Sequence, residues 1–161
     1  KLSANQEIVI NEISGNAMEI IAEIDTKNAP MVELNVLRSP NKEEFTRIAF
    51  FRERGYRNTQ NHRMGSSYSL ISIDSSYSSL SPDVLSRPPE TGSFIIEQDE
   101  TLKLRVFIDK SVVEVFVNGK QCIALRVYPS RDDSVGISLR SQGKDAELVS
   151  LDVWQMENLY E

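Results

Sequence analysis

At 161 residues, 40% hydrophobic and 26% charged, the chain can bury a core without disulfides or metal. Its formal net charge of −6 argues against nucleic acid as a partner, because phosphate binding needs a basic face. A single cysteine, Cys122, rules out an intramolecular disulfide, and no run of roughly 18 apolar residues offers a membrane-spanning helix. Residues 1–5 carry neither an initiator Met nor an apolar signal region. The sequence is therefore expected to be an excised piece of a longer protein or a mature product, and secreted and cytoplasmic origins are equally open.

The dominant hydrophobic period is two. Residues 7–11 and 17–24 read as strands, and Met18, Ile20, Ala22 and Ile24 share one face of the second. Residues 31–37 form another, and residues 46–52 carry apolar side chains on both faces. The polar stretch 53–65 holds Arg54, Arg57, His62 and Arg63 and reads as an exposed loop or a long hairpin tip. A strand over residues 67–74 follows, with Tyr68, Leu70, Ile71 and Ile73. Residues 75–92, rich in Ser and Pro, read as a surface loop crossing between sheets.

The C-terminal part is more regular. Leu102, Leu104, Val106 and Ile108 alternate with Lys103, Arg105 and Phe107, and Val113, Val115 and Val117 alternate with Val112, Glu114 and Phe116. Asn118-Gly119 then signals a hairpin, since both central positions of such a turn need positive φ. With these two as the turn, Glu114 is placed opposite residue 123, and Arg126 becomes its diagonal neighbour. The returning strand, residues 120–128, ends at Pro129, which cannot donate to a ladder. Residues 135–139 form a short strand. Residues 146–156 form the last one, with Val149, Leu151 and Val153 facing opposite to Leu148 and Trp154. No helix-period segment exceeds two turns, and no repeat or second domain is evident. Short strands separated by turn signals at this spacing predict an all-β, two-sheet antiparallel β-sandwich over residues 1–161.

Two stretches are distinctive: residues 102–130, which include Val-Val-Glu-Val-Phe-Val-Asn-Gly-Lys (112–120), and the ending Asp-Ala-Glu-Leu-Val-Ser-Leu-Asp-Val-Trp-Gln-Met (145–156). Together with Leu-Ile-Ser-Ile-Asp-Ser-Ser-Tyr (70–77), they resemble the C-terminal β-sandwich of family 32 glycoside hydrolases. That family comprises invertases, fructan hydrolases and fructosyltransferases. The resemblance is strong over residues 67–156 and extends to residues 7–66. It implies a jelly-roll or concanavalin-like sandwich of about six strands per sheet. It also implies a five-bladed catalytic propeller earlier in the parent chain. In that family the propeller carries the chemistry, on Trp-x-Asn-Asp-Pro-x-Gly, Arg-Asp-Pro and Glu-Cys motifs. Here Trp154 is followed by Gln-Met, Arg131-Asp132 by Asp133, and Cys122 is preceded by Gln121, so no catalytic residue carries over. What remains is a non-catalytic accessory domain, with the propeller of the same parent chain as its partner. The alternative is a module that holds fructan or a sucrose-type substrate.

Arg52, Arg54, Arg57 and Trp154 are the candidates for an interdomain interface, because Arg and aromatic side chains anchor interfaces. The arginine stretch also reads as a solvated loop, and Trp154 as a core residue. Tyr56, Tyr68 and Tyr77, in or beside loops, are the candidate sugar platform. Glu97, Asp99 and Glu100 read as a solvated turn. Cys122 reads as a small packed residue. His62 stands without the ligand spacing a metal needs, and no motif calls for a cofactor.

Overall fold

The computed structural model describes residues 1–54, 68–85 and 87–157. Two antiparallel sheets face one another. The first holds six strands in the order β1 (Glu7–Ser14), β10 (Gly136–Gln142), β3 (Met31–Arg38), β4 (Thr46–Phe51), β5 (Ser69–Asp74) and β6 (Glu90–Phe94). The second holds five: β11 (Glu147–Gln155), β2 (Ala17–Asp25), β7 (Leu102–Asp109), β8 (Val112–Val117) and β9 (Gln121–Arg126). One apolar core lies between them. Met18, Ile20, Ala22 and Ile24 of β2 and Leu102, Leu104, Val106 and Ile108 of β7 meet Val32, Leu34, Ile48, Phe50, Ile71 and Ile73 of the facing sheet. The period-two alternation creates this layer, because successive Cβ atoms of a strand point to opposite faces.

The structure differs from the sequence expectations at four places, each for a local reason. First, β6 lies inside what reads as the end of a loop. Its sequence, Glu-Thr-Gly-Ser-Phe, has no apolar alternation because it is an edge strand that pairs only with β5 and buries only Phe94. Second, the β8–β9 register is one residue longer than a tight two-residue turn gives. Lys120 N–H donates to Val117 O at 2.9 Å, yet Val117 pairs with Gln121. Lys120 is thus an extra residue, a bulge. Glu114 therefore lies opposite Ala124 and Phe107, and Arg126 opposes Val112. This register keeps Ile123 beside Val115 on the core side, as alternation requires.

Third, a bulge between Leu148 and Ser150 reverses part of β11. Leu148, Leu151 and Val153 all pack on the core, while Val149 turns outward. Trp154 is 51% exposed on the outer face, so the core reading of this residue does not hold. Fourth, Cys122 is exposed on the same outer face and is not a packed residue. A further bulge sits in β3, where the pairing with β10 shifts between Gly136 and Ser138. Leu37 there adopts φ 47°, which brings both Val36 and Leu37 into the core. Gly136 is required opposite, since a Cβ would stand 2.9 Å from the Arg38 carbonyl oxygen.

Candidate interaction surfaces

One end of the sandwich is organised around a residue that the sequence did not single out. Glu44, in the turn before β4, is 0% exposed. A buried carboxylate is costly unless its oxygens are saturated with donors, and here they are. Oε1 accepts from Leu80 N–H at 2.7 Å, from Ser130 N–H at 2.9 Å and from the Ser130 hydroxyl. Oε2 accepts from Arg131 N–H at 3.1 Å and from Ser134 Oγ at 2.6 Å. Burial by itself pushes this carboxyl up, but the donors from Ser130, Ser134 and Leu80 outweigh it and hold the pKa down at about 2. Glu44 is therefore a fixed anion that ties the β3–β4, β5–β6 and β9–β10 connections together. No local motif announces it, because its donors lie 36 to 90 positions away.

The next residue builds outward from this hub. Phe45 N–H donates to Tyr77 O at 2.9 Å. The two rings stack with centroids 5.4 Å apart and planes within 6°, and Lys42 Nζ lies 4.7 Å from the Phe45 centroid. Tyr77 is 64% exposed, and Leu80 beside it is also exposed. Tyr128 and the 84% exposed Leu85 line one adjoining cleft. Tyr77, Leu80, Leu85 and Tyr128 thus form an apolar strip on loops that the Glu44 hydrogen bonds hold in place.

The other candidates do not converge. Tyr68 and Tyr77 flank opposite ends of β5, so they do not form one platform. Tyr56, Arg57 and His62 lie outside the described residues. Arg52 is engaged within the fold: its N–H donates to Pro30 O at 2.9 Å, its guanidinium donates to Thr26 Oγ1, and it lies over the Phe50 ring at 5.7 Å. Arg54 is exposed at the same end, beyond β4. Trp154 stands on the edge strand β11 of the other sheet. Arg54 and Trp154 therefore occupy separate surfaces.

A sequence profile described as glycosyl hydrolases family 32 C terminal matches residues 1–155. The chain belongs to this family. The match takes in the N-terminal strands, where the sequence signal was weaker. Among curated relatives, this family 32 chain is 32% identical over 130 residues to fructan 1-exohydrolase w3 of Triticum aestivum, across 76% of this chain and 20% of that protein. It is 34% identical over 93 residues to the insoluble isoenzyme 2 β-fructofuranosidase of Daucus carota, across 55% of this chain and 16% of that one. Among solved structures, fructan 1-exohydrolase IIa from Cichorium intybus superposes with TM-score 0.81 at 18% identity, covering 98% of this chain and 34% of that chain. Exo-inulinase from Aspergillus awamori superposes with TM-score 0.72 at 21% identity, covering 97% and 28%. At these identities the structural likeness establishes the shared sandwich fold. The chain spans about a fifth of the length of the first of these curated relatives and about a third of the Cichorium structure.

Proposed function

We propose that this chain is a non-catalytic accessory β-sandwich of a β-fructofuranosidase-type glycoside hydrolase, packed against the catalytic propeller of the same parent chain. The observation that carries the reading is the apolar strip of Tyr77, Leu80, Leu85 and Tyr128. Large apolar side chains held out into water on hydrogen-bonded loops mark a surface that another protein covers. The family supports it, because none of its three catalytic motifs occurs in this sequence while the C-terminal match covers nearly the whole chain. In this role the sandwich removes apolar surface of the propeller from water, and the parent reaction is hydrolysis of β-fructofuranosyl bonds.

The test is a double substitution, Leu80→Asp with Leu85→Asp, made both in this chain alone and in the full parent polypeptide. Both side chains are exposed here, so the isolated chain should melt as before. In the parent, the melting temperature of the catalytic unit should fall and its activity should decay faster on warming. Unchanged melting and activity in the parent would remove the packing role from this surface.

A further inference from the structure

A second surface lies away from the apolar strip, on the outer face of the five-stranded sheet. Strand β8 is flanked by Ser111, whose carbonyl oxygen accepts from Val127 N–H near the strip, and by Asn118 at its other end. There the outer face sinks into a groove of about 610 Å³, whose lining includes Ile21, Asp99, Lys103, Arg105 and Phe116. Ile21, Arg105 and Phe116 are cross-strand neighbours on β2, β7 and β8, so the floor is built on strands and not on loops. Phe116 is 39% exposed. Its ring is held by an edge contact with Phe107, with centroids 5.9 Å apart and planes at 85°. Arg105 is also fixed: its guanidinium lies 4.9 Å from the Phe107 centroid, and Nε donates to Glu19 at 2.6 Å. Its terminal nitrogens have no hydrogen-bond partner among the described residues.

The rim sorts into committed and uncommitted groups. Glu100 is used by Lys120 at 2.8 Å and by Asn118 Nδ2 at 3.0 Å, which stiffens the wall. The Lys103 ammonium and the Asp99 carboxylate have no hydrogen-bond or ion-pair partner among the described residues. The groove therefore offers an apolar floor with a half-exposed aromatic ring, two cationic donors and one anionic acceptor. Arg105 is already neutralised by Glu19, and Lys103 and Asp99 add one charge of each sign to the lining. The lining therefore has no excess charge that would favour a charged ligand over a neutral one. A sugar ring has one C–H face for the aromatic floor and hydroxyls that both donate and accept around its edge.

We propose that this groove binds a neutral saccharide, with a ring seated on Phe116 and its hydroxyls held by Arg105, Lys103 and Asp99. The site stands independently of the packing role, which uses the opposite end of the sandwich. It is also separate from the tyrosines named from sequence.

The test is a titration of this chain, labelled with 15N, with inulin-type fructo-oligosaccharides, and in parallel with cello-oligosaccharides. Saturable amide shifts should gather at Ile21, Lys103, Arg105, Phe116 and Gly119. Phe116→Ala should weaken binding about tenfold while the rest of the spectrum keeps its dispersion. Asp99→Ala, which removes an exposed side chain without internal partners, provides the same reading if the Phe116 variant misfolds. Response to both sugar series would define a general saccharide groove, and response to the first alone a fructan site. Absence of saturable shifts with either series, shifts centred on Tyr68 or Tyr77, or unchanged affinity in both variants would overturn the proposal.

Discussion

The Ser134 hydroxyl donates to Glu44 Oε2 at 2.6 Å, joining the turn before β4 to the loop before β10 across 90 positions of sequence. Because Glu44 is fully buried and its oxygens are saturated, removing its charge strands several donors at once. Glu44→Gln is expected to destabilise the chain by about 3 kcal/mol, read from the midpoint of a urea unfolding curve with unchanged slope. A loss below about 0.5 kcal/mol would mean that these loops do not depend on the carboxylate.

The same group sets a pH dependence. Its folded pKa of about 2 lies below its ordinary 4.5, so its stabilisation is complete above pH 4.5 and disappears as pH falls towards 2. Glu7 follows the same course. Burial raises its pKa, but Ser138, Arg38 and Lys42 lower it further, also to about 2. Stability should fall steeply between pH 4.5 and 2. Over that window the gap between the native chain and Glu44→Gln should narrow, in urea melts taken at stepped pH. A gap that stays constant down to pH 2 would contradict the assignment.

Asn118 has more to do than supply a positive φ of 51°. Its Nδ2 donates to Thr101 O at 2.8 Å, and its Oδ1 accepts from Lys103 N–H at 2.8 Å, so the turn is tied to the start of β7. Asn118→Gly keeps the backbone conformation and removes these bonds. It should cost about 1 kcal/mol despite glycine's greater tolerance of this region. Equal or greater stability in the variant would reduce Asn118 to a turn former.

Gly119 isolates the backbone contribution. It has φ 62°, and a Cβ placed there meets no atom within 4 Å. Gly119→Ala should therefore cost about 1 kcal/mol through backbone strain alone, with no change in the surrounding amide shifts beyond the turn.

Trp154 is the only tryptophan, and it reports directly on its surface. In the isolated chain its emission should be that of a solvent-exposed indole and quenchable by acrylamide. Trp154→Ser should shift stability by less than about 0.5 kcal/mol. Blue, protected emission from the isolated chain would contradict the outward orientation.

Much of the fold was legible because alternation is a local signal. The pattern from Leu102 to Ile108 and from Val112 to Val117 needs only a strand with one buried face, and both are strands with those residues inside. Edge strand β6 was not legible, since burying little leaves little pattern. The bulges at Lys120 and near Val149 were not legible either. A single extra residue inverts the faces that follow it, and only the facing layer decides where it goes.

The candidate surfaces were less legible still. Tyr77 was named from its loop position, but its stack on Phe45 and the Glu44 hub beneath bring together residues from three separate connections. The Ile21–Arg105–Phe116 floor joins β2 to the β7–β8 hairpin, which lies far from it in the chain. By itself, the sequence determined the strand periods, the sandwich class and the family likeness, because each is written in neighbouring residues. The tertiary structure alone decided the registers, the outward placement of Trp154 and Cys122, the saturation of Glu44 and the groove. Each of these depends on which distant residues share a face, and that is settled only when the two sheets close on one core.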